Sequence, residues 1–504
     1  MAVTSFTPLS NVRVLSGVPL DSSYSDTLYF SSVSEQTAFF MGKTKYSFAQ
    51  VAPVRIPNTI RLDVVADNIY DCNYVMFQNA NYKNKWFYGF ITGIEWVNIN
   101  ACVVSYEIDA IQTWWFDLKI NDCYVEREHS VTDNIGDNLV AENIELGDYV
   151  TETAEKTPFF DYYVAVIAAG YQVEGQDPPG GYIGGLFTGL NYIAGPINNE
   201  AEVEQLKSYL QAVVNAGQQD SVASTFIMPL AFYTTDSLAK SQRFDANKNY
   251  SSIGGYVPKN KKLFTYPYNY LQVSSASGQS KAYRYEYFAN ENECGFLLSC
   301  ALSCNPEIIL EPIAYNSQTY NVDESLCLSG FPQFAWSIDT YKAWLAQNAT
   351  GTMLQLVGNM ISTGASIATG NPFGVAEGVL GISNTINNVV QASFKSDQTR
   401  GSQGTSTLTG TFEMNFYFYN RHLREDNLKI IDDYFSRFGY ATKRLKKPNI
   451  NSRPSWNYVK TLEANITGKV PFDDLAKIKS CFNNGITFWH GDYVGDYSRS
   501  NDPV

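Results

Sequence analysis

Short apolar runs separated by turn residues dominate the first part of the chain. Val12–Leu15, Val75–Phe77, Trp86–Ile91 and Val103–Ile108 are β-branched or aromatic runs bounded by asparagine or glycine. Runs of this kind and length are typical of short strands. We therefore expect an N-terminal, mostly antiparallel β-rich domain over residues 1–145.

The pattern is looser over residues 146–344, where we expect one or more α+β or β domains. Apolar residues at helical spacing in Asn199–Gly217 predict a helix, with an asparagine to cap its start and a glycine to end it. Tyr283, Tyr285 and Tyr287 alternate with charged residues and predict a strand with one aromatic face. For Gly295–Leu302 the pattern fits a short buried strand and a short buried helix equally.

The last hundred residues have the clearest periodicity. It predicts, in order, a strand, a helix, two strands, a helix and a strand: Phe412–Tyr419, Asp426–Phe438, Tyr440–Leu445, Trp456–Ala464, Asp473–Phe482 and Ile486–Trp489. The order β-α-β-β-α-β is typical of a ferredoxin-like split unit. We therefore expect a C-terminal α+β domain over residues 405–504.

The most unusual hydropathy lies between Ala343 and Phe394, 52 residues with a single ionisable side chain, Glu377. The turn signal Asn371–Gly374 divides this segment into two arms. Each arm has aliphatic residues on one helical face and uncharged polar residues on the other, whereas a soluble surface helix carries charges on its polar face. The candidate membrane-insertion or plug residues are Met353, Leu356, Val357, Met360, Ile361, Ile367, Phe373, Glu377, Val379, Leu380, Ile382, Ile386, Val389 and Val390.

Each arm is too short to cross a bilayer alone. It has roughly 16 helical residues and a length of about 24 Å, against the ~20 apolar residues that a spanning helix needs. Small residues such as Gly374 and Gly378 recur at the spacing of close helix contacts in lipid. We therefore interpret residues 345–404 as an apolar, membrane-active helical hairpin loop that acts only when several copies lie side by side.

Two other interpretations of this segment are open, a buried helical hairpin in a soluble core and a flexible linker. Seven glycines between Gly351 and Gly381 count against a core hairpin, since each costs ~1 kcal/mol relative to alanine in a formed helix. The frequent isoleucine, leucine and valine residues count against a solvated linker.

Composition and charge narrow the class of protein. The 504 residues exceed a single core, so three or four domains are expected, and the 14% of aromatic residues favours strands. The net charge of −14 argues against a protein that reads nucleic acid, although an acidic wall would let nucleic acid slide past it. The N-terminal residues lack a basic region followed by a long apolar run, so we expect no signal peptide and folding in a cytoplasm.

The sequence contains no familiar catalytic motif. The eight cysteines include no CxxC pair and are interpreted as buried free thiols, so neither a metal nor a cofactor is expected. A structural role is expected for His129, His422 and His490. One basic cluster is expected on a solvated edge or a subunit interface rather than at a nucleic-acid site, and its residues are Lys443, Arg444, Lys446, Lys447 and Arg453.

Several short stretches occur in the order found in a known family. They are Asn11–Leu15 followed by Val18-Pro19, Phe77–Tyr82, Lys85–Tyr88, Glu107–Asp109, Gln112–Trp114, Arg127–His129, Phe438–Tyr440, Lys446–Asn449 and Asn483–Thr487. On these stretches the chain resembles the distal tail tube, or tail knob, proteins of small Picovirinae-type short-tailed bacteriophages. The resemblance covers about the first 130 and the last 100 residues and brackets the apolar segment. The middle, about residues 150–340, departs from the family pattern and is shorter.

The resemblance implies a virion protein that is assembled in the host cytoplasm as a homohexameric tube of β-barrel-like domains. Its C-terminal domain would pack with the N-terminal region, and the phage genome would pass through its lumen without specific binding. Six copies of the loop at about Leu345–Gly404 would plug the exit and later form a pore in the host cell membrane. The implied partners are a lower collar or connector-side tail protein and a cell-wall-degrading tail tip protein.

Two functions of other classes compete with a structural, non-enzymatic tail subunit. One is a tail-tip hydrolase that digests cell wall or glycan, and the other is a receptor-binding adhesin without a channel. Fifty acidic residues provide many carboxylate pairs, so pairing alone does not indicate a glycosidase.

Overall fold

The protein is described by a computed structural model. It describes residues 10–51, 58–78, 83–160, 163–172, 182–183, 186–187, 189–196, 208–209, 212–213, 215–233, 240–248, 250–301, 306–329, 331, 333–334 and 415–503.

Strands outnumber helices in the described residues. In chain order the strands are β1 (Ser10–Ser16), β2 (Asp26–Leu28), β3 (Thr44–Val51), β4 (Thr59–Leu62), β5 (Cys72–Gln78), β6 (Trp86–Asn98), β7 (Ala101–Ile108), β8 (Leu118–Ile120), β9 (Cys123–Glu128), β10 (Tyr149–Lys156), β11 (Tyr163–Ala169), β12 (Tyr182–Ile183), β13 (Leu186–Phe187), β14 (Asn191–Pro196), β15 (Val222–Pro229), β16 (Gln242–Asn247), β17 (Asn269–Ser275), β18 (Ser280–Tyr283), β19 (Glu293–Ala301), β20 (Glu307–Tyr315), β21 (Gln318–Tyr320), β22 (Leu326–Leu328), β23 (Gln333–Phe334), β24 (Phe416–Leu423), β25 (Tyr440–Lys446), β26 (Trp456–Leu462), β27 (Ile466–Gly468) and β28 (Ile486–Trp489). The α-helices with defined bounds are α1 (Val33–Gly42), α2 (Ala110–Trp114), α3 (Glu425–Phe438) and α4 (Phe472–Asn484).

The chain divides into two compact units, each built from separate stretches of sequence. Unit 1 consists of Met1–Leu146, Pro258–Leu263 and Asp426–Val504. Unit 2 consists of Gly147–Val257 and Phe264–Glu425.

Unit 1 contains two larger sheets. One has six strands in the order β3-β1-β5-β6-β7-β4, and the other has five in the order β2-β28-β26-β9-β25. In the five-stranded sheet β9 lies between β26 and β25, so a strand near residue 125 pairs with two strands that lie more than 300 residues further on. Helix α4 packs on β26 and buries Ile478, Cys481 and Phe482, which lie on one helical face.

Helix α3 ends at a glycine because the chain passes very close to β9 there. Gly439 has φ +64°, and a Cβ atom at this position would lie 2.2 Å from the carbonyl oxygen of Glu128. Only glycine fits both the left-handed backbone and this close approach. The sequence thus ends α3 and directs the chain into β25, which pairs with β9.

Unit 2 is built from antiparallel sheets around an aromatic core. Its sheets have the orders β10-β24-β17-β18, β14-β11-β15-β23 and β16-β19-β20-β21, with β22 also paired to β20. The core is rich in aromatic rings, among them Tyr283, Phe288, Phe296, Tyr315 and Phe418, which pack edge to face or at a tilt.

The predicted fold class, mainly β with α+β parts in several domains, is confirmed. The N-terminal runs form β1, β5, β6 and β7 as predicted, and both C-terminal helices form as predicted. Gly295–Leu302 falls almost entirely within β19, so the strand alternative is correct there. Of the helix predicted for Asn199–Gly217 only residues 208–209, 212–213 and 215–217 are described; the first five of these are helical, and residues 216–217 form a turn.

Two local predictions are wrong. The six predicted C-terminal elements form, but β27 is inserted between β26 and α4, and the strands do not pair as a ferredoxin-like unit. Strand β24 belongs to a sheet of unit 2, and β9 lies between β26 and β25. The aromatic strand ends at Tyr283, and Tyr285–Tyr287 form a 3-10 turn. This turn directs the chain to β20, where the amide of Ala289 donates to the carbonyl of Ala314.

Candidate functional site

The predicted plug and membrane-insertion segment, residues 345–404, lies outside the described residues. The same holds for every candidate residue in it, namely Met353, Leu356, Val357, Met360, Ile361, Ile367, Phe373, Glu377, Val379, Leu380, Ile382, Ile386, Val389 and Val390. In the part of the chain that the structure describes, no helix is both long and apolar enough to cross a membrane.

The basic cluster is divided between the surface and the interior of unit 1. Lys443, Arg444 and Lys447 are exposed, and none of them has a carboxylate partner among the described residues. Lys446 pairs with the buried carboxylate of Glu128, whose pKa is raised by burial. Arg453 is buried and donates to the backbone carbonyls of Ser130 and Asn501, so it does not belong to an exposed patch.

A buried group of charges lies beside this cluster. The Glu142 side chain, 1% exposed, accepts from Arg127 and from Lys262, whose side chain is 3% exposed. The Lys262 ammonium lies 2.6 Å from the Glu142 carboxylate and 2.8 Å from the carbonyl of Val140. Burial lowers the pKa of Lys262, and the carboxylate opposes that change.

A second set of polar contacts holds the same short segment, 258–263. The Asp432 carboxylate on α3 accepts from the amides of Lys259 and Asn260 at 2.8 and 3.0 Å. The Asn260 side chain also donates to Asp432 at 2.7 Å. Tyr440 donates to Asp133 at 2.6 Å, and Asp133 accepts from the amide of Lys261. We call Glu142, Asp432 and Asp133, with the partners named here, the charge clamp of unit 1.

The charge clamp has the character of a structural site. Each of its three carboxylates accepts hydrogen bonds from backbone amides, which orient it and fix the chain around it. The groups therefore compensate one another, as buried charges require.

Most histidines and cysteines occupy similarly closed positions: His129, His422 and six of the seven described cysteines are buried, whereas His490 and Cys327 are partly exposed. His129 accepts from the amide of Tyr458 at one ring nitrogen and contacts the carbonyl of Ser436 with the other. Burial and the nearby Arg453 lower the pKa of His129 to about 3, so the ring is neutral at pH 7. The seven described cysteines are free, and burial raises the pKa of Cys300 to about 12. Among the described residues no group of three potential ligands could hold a metal ion.

Two exposed apolar surfaces in unit 1 were not identified from the sequence. In the five-stranded sheet Tyr124 lies opposite Leu445 on one side and Leu462 on the other, and these residues are 40%, 76% and 61% exposed. We call them the apolar row. At the end of the β6–β7 hairpin Trp96 and Val97 on β6 and Ile99 in the turn are 57%, 38% and 73% exposed, and we call these residues the hairpin tip. Apolar residues next to the turn asparagines Asn98 and Asn100 were the sequence signal for the tip.

Comparison with known proteins identifies the class. Residues 8–119 match the family described as the caudoviral major tail protein N-terminus. The β-rich fold and this match define a structural tail protein of a tailed bacteriophage, which is a component of the virion. Residues 231–502, more than half of the chain, match the family described as Bacillus phage phi29 tail knob protein gp9, C-terminal domain. The chain belongs to this tail knob family, as its resemblance to tail knob proteins predicts.

Similar proteins extend over the whole chain. The tail knob proteins gp9 of Bacillus phages PZA and phi29 are 26% and 25% identical, with 99% of each chain covered. The alignment with the PZA protein spans 610 positions, so at least 106 of them have no residue in this chain of 504. The tail knob protein gp12 of bacteriophage C1 has a similar fold, with a TM-score of 0.61 at 16% identity over 98% of this chain and 100% of that chain.

Proposed function

We propose that six copies of this chain form the distal tube of a phage tail and that the genome leaves through its lumen. Membership of the tail knob family is the observation that carries the proposal. The net charge of −14 supports it, because an acidic lumen wall would make few contacts with phosphate groups. The proposed partners are other tail proteins, a lower collar protein on one side and a cell-wall-degrading tip protein on the other.

We propose in addition that residues 345–404 plug the exit and then enter the host membrane. The two uncharged amphipathic arms support this role, because each needs the neighbouring copies to shelter its polar face. We also propose domain boundaries that place this loop between a distal part, residues 146–344, and a tube domain, residues 405–504. Residues 1–145 form the other tube domain. Lys443, Arg444, Lys446 and Lys447 remain candidates for an interface, whereas the buried Arg453 is a poor one.

Electron microscopy of the purified assembly, viewed down its axis, tests the ring. A closed ring of six copies with a central lumen is expected. A monomer or trimer without a lumen would contradict the proposal and favour an adhesin. Clearing of peptidoglycan in a zymogram would instead favour a hydrolase.

Deletion of residues 345–404 tests the loop separately. The shortened chain should still form rings, whereas only the full chain should release dye from liposomes. An insoluble product would favour a buried core hairpin. If lowering the pH triggers release, Glu377→Gln should weaken that pH dependence, since neutralising this carboxylate removes a cost of entering lipid.

A further inference from the structure

The apolar row and the hairpin tip are two separate exposed surfaces on unit 1. They belong to different sheets, the row to the five-stranded sheet and the tip to the six-stranded one. Three directly opposed apolar side chains on neighbouring strands form a continuous patch, which a monomeric protein seldom exposes without a partner. Each surface is therefore a candidate for contact with another molecule.

The row has cations at its Leu445 end and a carboxylate at its Leu462 end, whereas the only charged side chains in the hairpin that carries the tip are carboxylates. Lys443 and Lys447 are each two residues from Leu445 at one end of the row, whereas Arg444 is opposite Val125 and so lies on the other face of the sheet. Glu126 on β9 is already paired with Lys460 at 3.0 Å. Glu463 follows Leu462 at the other end of the row. The hairpin, in contrast, contains no lysine or arginine from Trp86 to Ile108.

Glu95 carries the charge next to the hairpin tip. Glu107, the other carboxylate within the two strands, already pairs with Lys477. The tip thus presents apolar side chains beside an acidic group. The row presents apolar side chains beside cations that have no carboxylate partner among the described residues.

We propose that the hairpin tip of one copy docks on the apolar row of the next copy. This inference rests on the proposed ring and identifies the surfaces that build it. Aliphatic side chains gain nothing from contact with phosphate groups, so a protein partner fits the row better than nucleic acid does. Because the two surfaces are different, the contact is head to tail, and repeated contacts of this kind build the proposed ring when the rotation between neighbouring copies closes.

Paired variants of the full chain test the contact. A tip variant carries Trp96→Thr and Ile99→Thr, and a row variant carries Leu445→Thr and Leu462→Thr. A control variant carries Val33→Thr and Ile430→Gln, at two other exposed apolar positions of unit 1 that are 55% and 68% exposed. All six positions are exposed, and threonine suits strands, so the fold should be retained. Circular dichroism would verify this before assembly is measured by sedimentation velocity.

The wild-type chain and the control variant should assemble at the same concentration. The tip and row variants should each need a concentration about 30-fold higher or more, as expected when a buried apolar anchor is removed from an interface. An equimolar mixture of the two should form one-to-one dimers and stop there, because only one intact tip can meet one intact row.

Other outcomes would overturn the proposal and can be told apart from failure of the ring itself. If the wild type and both docking variants form rings, the ring stands but its contacts lie elsewhere. If the mixture restores complete rings, the two surfaces do not bind each other. If Lys447→Glu weakens DNA binding and leaves assembly unchanged, the row belongs to nucleic acid. If the wild type does not assemble, the proposed function fails first.

Discussion

Both units bury clusters of aromatic rings, but unit 1 in addition buries a network of charged and polar side chains. In unit 1 the side chains of Glu142, Lys262 and Asp432 are almost inaccessible to solvent. Glu142 pairs with Lys262, and Asp432 accepts from the amide of Asn260. In unit 2 the interior contains aromatic side chains such as Tyr283 and Phe296, which are uncharged and pack edge to face. Unit 1 thus adds buried charges to the aromatic packing that both units share.

The difference follows from the way each unit is built. The segment Pro258–Leu263 contributes only six residues to unit 1, too few to bury a core of its own. Hydrophobic burial is not directional, whereas hydrogen-bonded charges hold a short segment in one position. We infer that the charge clamp fixes the position of this segment, at the cost of taking charges out of water.

The largest effect should come from breaking the clamp. Glu142→Ala leaves Lys262 and Arg127 without their shared carboxylate, and we expect unit 1 to lose about 3–5 kcal/mol of stability. Urea denaturation monitored by intrinsic fluorescence would measure the loss. A change below about 1 kcal/mol would mean that the clamp is as weak as a surface pair.

The buried carboxyl group of Asp109 makes the stability of unit 1 depend on pH. It is buried at the start of α2, and burial raises its pKa from 3.8 to about 6 although Tyr74 and the amide of Gln112 donate to it. The folded state therefore binds a proton more tightly than the unfolded state. The stabilisation is fully present below pH ~4 and is lost as the pH rises through ~6.

Asp109→Asn should remove this dependence. Relative to the variant, the wild type should lose roughly 2–3 kcal/mol of stability between pH 4 and pH 7. Titration of His129 changes stability in the opposite direction over part of this range, but it is common to both proteins. Parallel denaturation curves for the two proteins at pH 4 and pH 7 would contradict the assignment.

The aromatic core of unit 2 should respond less strongly to a conservative change. Phe296→Leu keeps an apolar side chain but loses ring contacts with Tyr283 and Phe418, both at 5.2 Å. We expect a loss of roughly 2 kcal/mol that does not depend on salt concentration. A strong salt dependence in thermal unfolding would indicate that charges contribute to this core as well.

The smallest effect is expected at an exposed ion pair. Arg243 and Asp245 on β16 lie 2.8 Å apart, but the arginine side chain is 58% exposed. Asp245→Asn should change stability by no more than about 0.5 kcal/mol. A loss comparable to that of Glu142→Ala would show that burial does not distinguish the two pairs.

Local periodicity predicted most elements but not their partners. Helix α3 follows from Leu428, Ile431 and Phe435 on one face, and these side chains are buried. Nothing near β9 in the sequence indicates that it pairs with β25 and β26, since pairing across more than 300 residues leaves no local signal. The prediction of a ferredoxin-like unit was wrong for this reason.

The charge clamp could not be predicted for a similar reason. Lys259, Asn260 and Lys262 follow a proline and look like part of a solvated turn, yet their carboxylate partners lie more than 100 residues away. The apolar loop was different, because the presence of only one ionisable side chain in 52 residues is visible in the sequence itself. The residues of this loop could therefore be proposed from the sequence alone. The apolar row could not, because it is formed by residues that only the pairing of the strands brings together.

The central position of β9 also has a consequence for synthesis of the chain. Both of its neighbours come from residues 440–462, about 310 residues later in the sequence. At the ~5–20 residues per second of translation, β9 waits roughly 15–60 s before either neighbour exists. During that time both its edges are unpaired, and an unpaired edge is a template for pairing with other chains. We therefore expect the nascent N-terminal region to be most prone to aggregation, and most dependent on chaperones, in the interval before the ribosome reaches the last sixty-five residues.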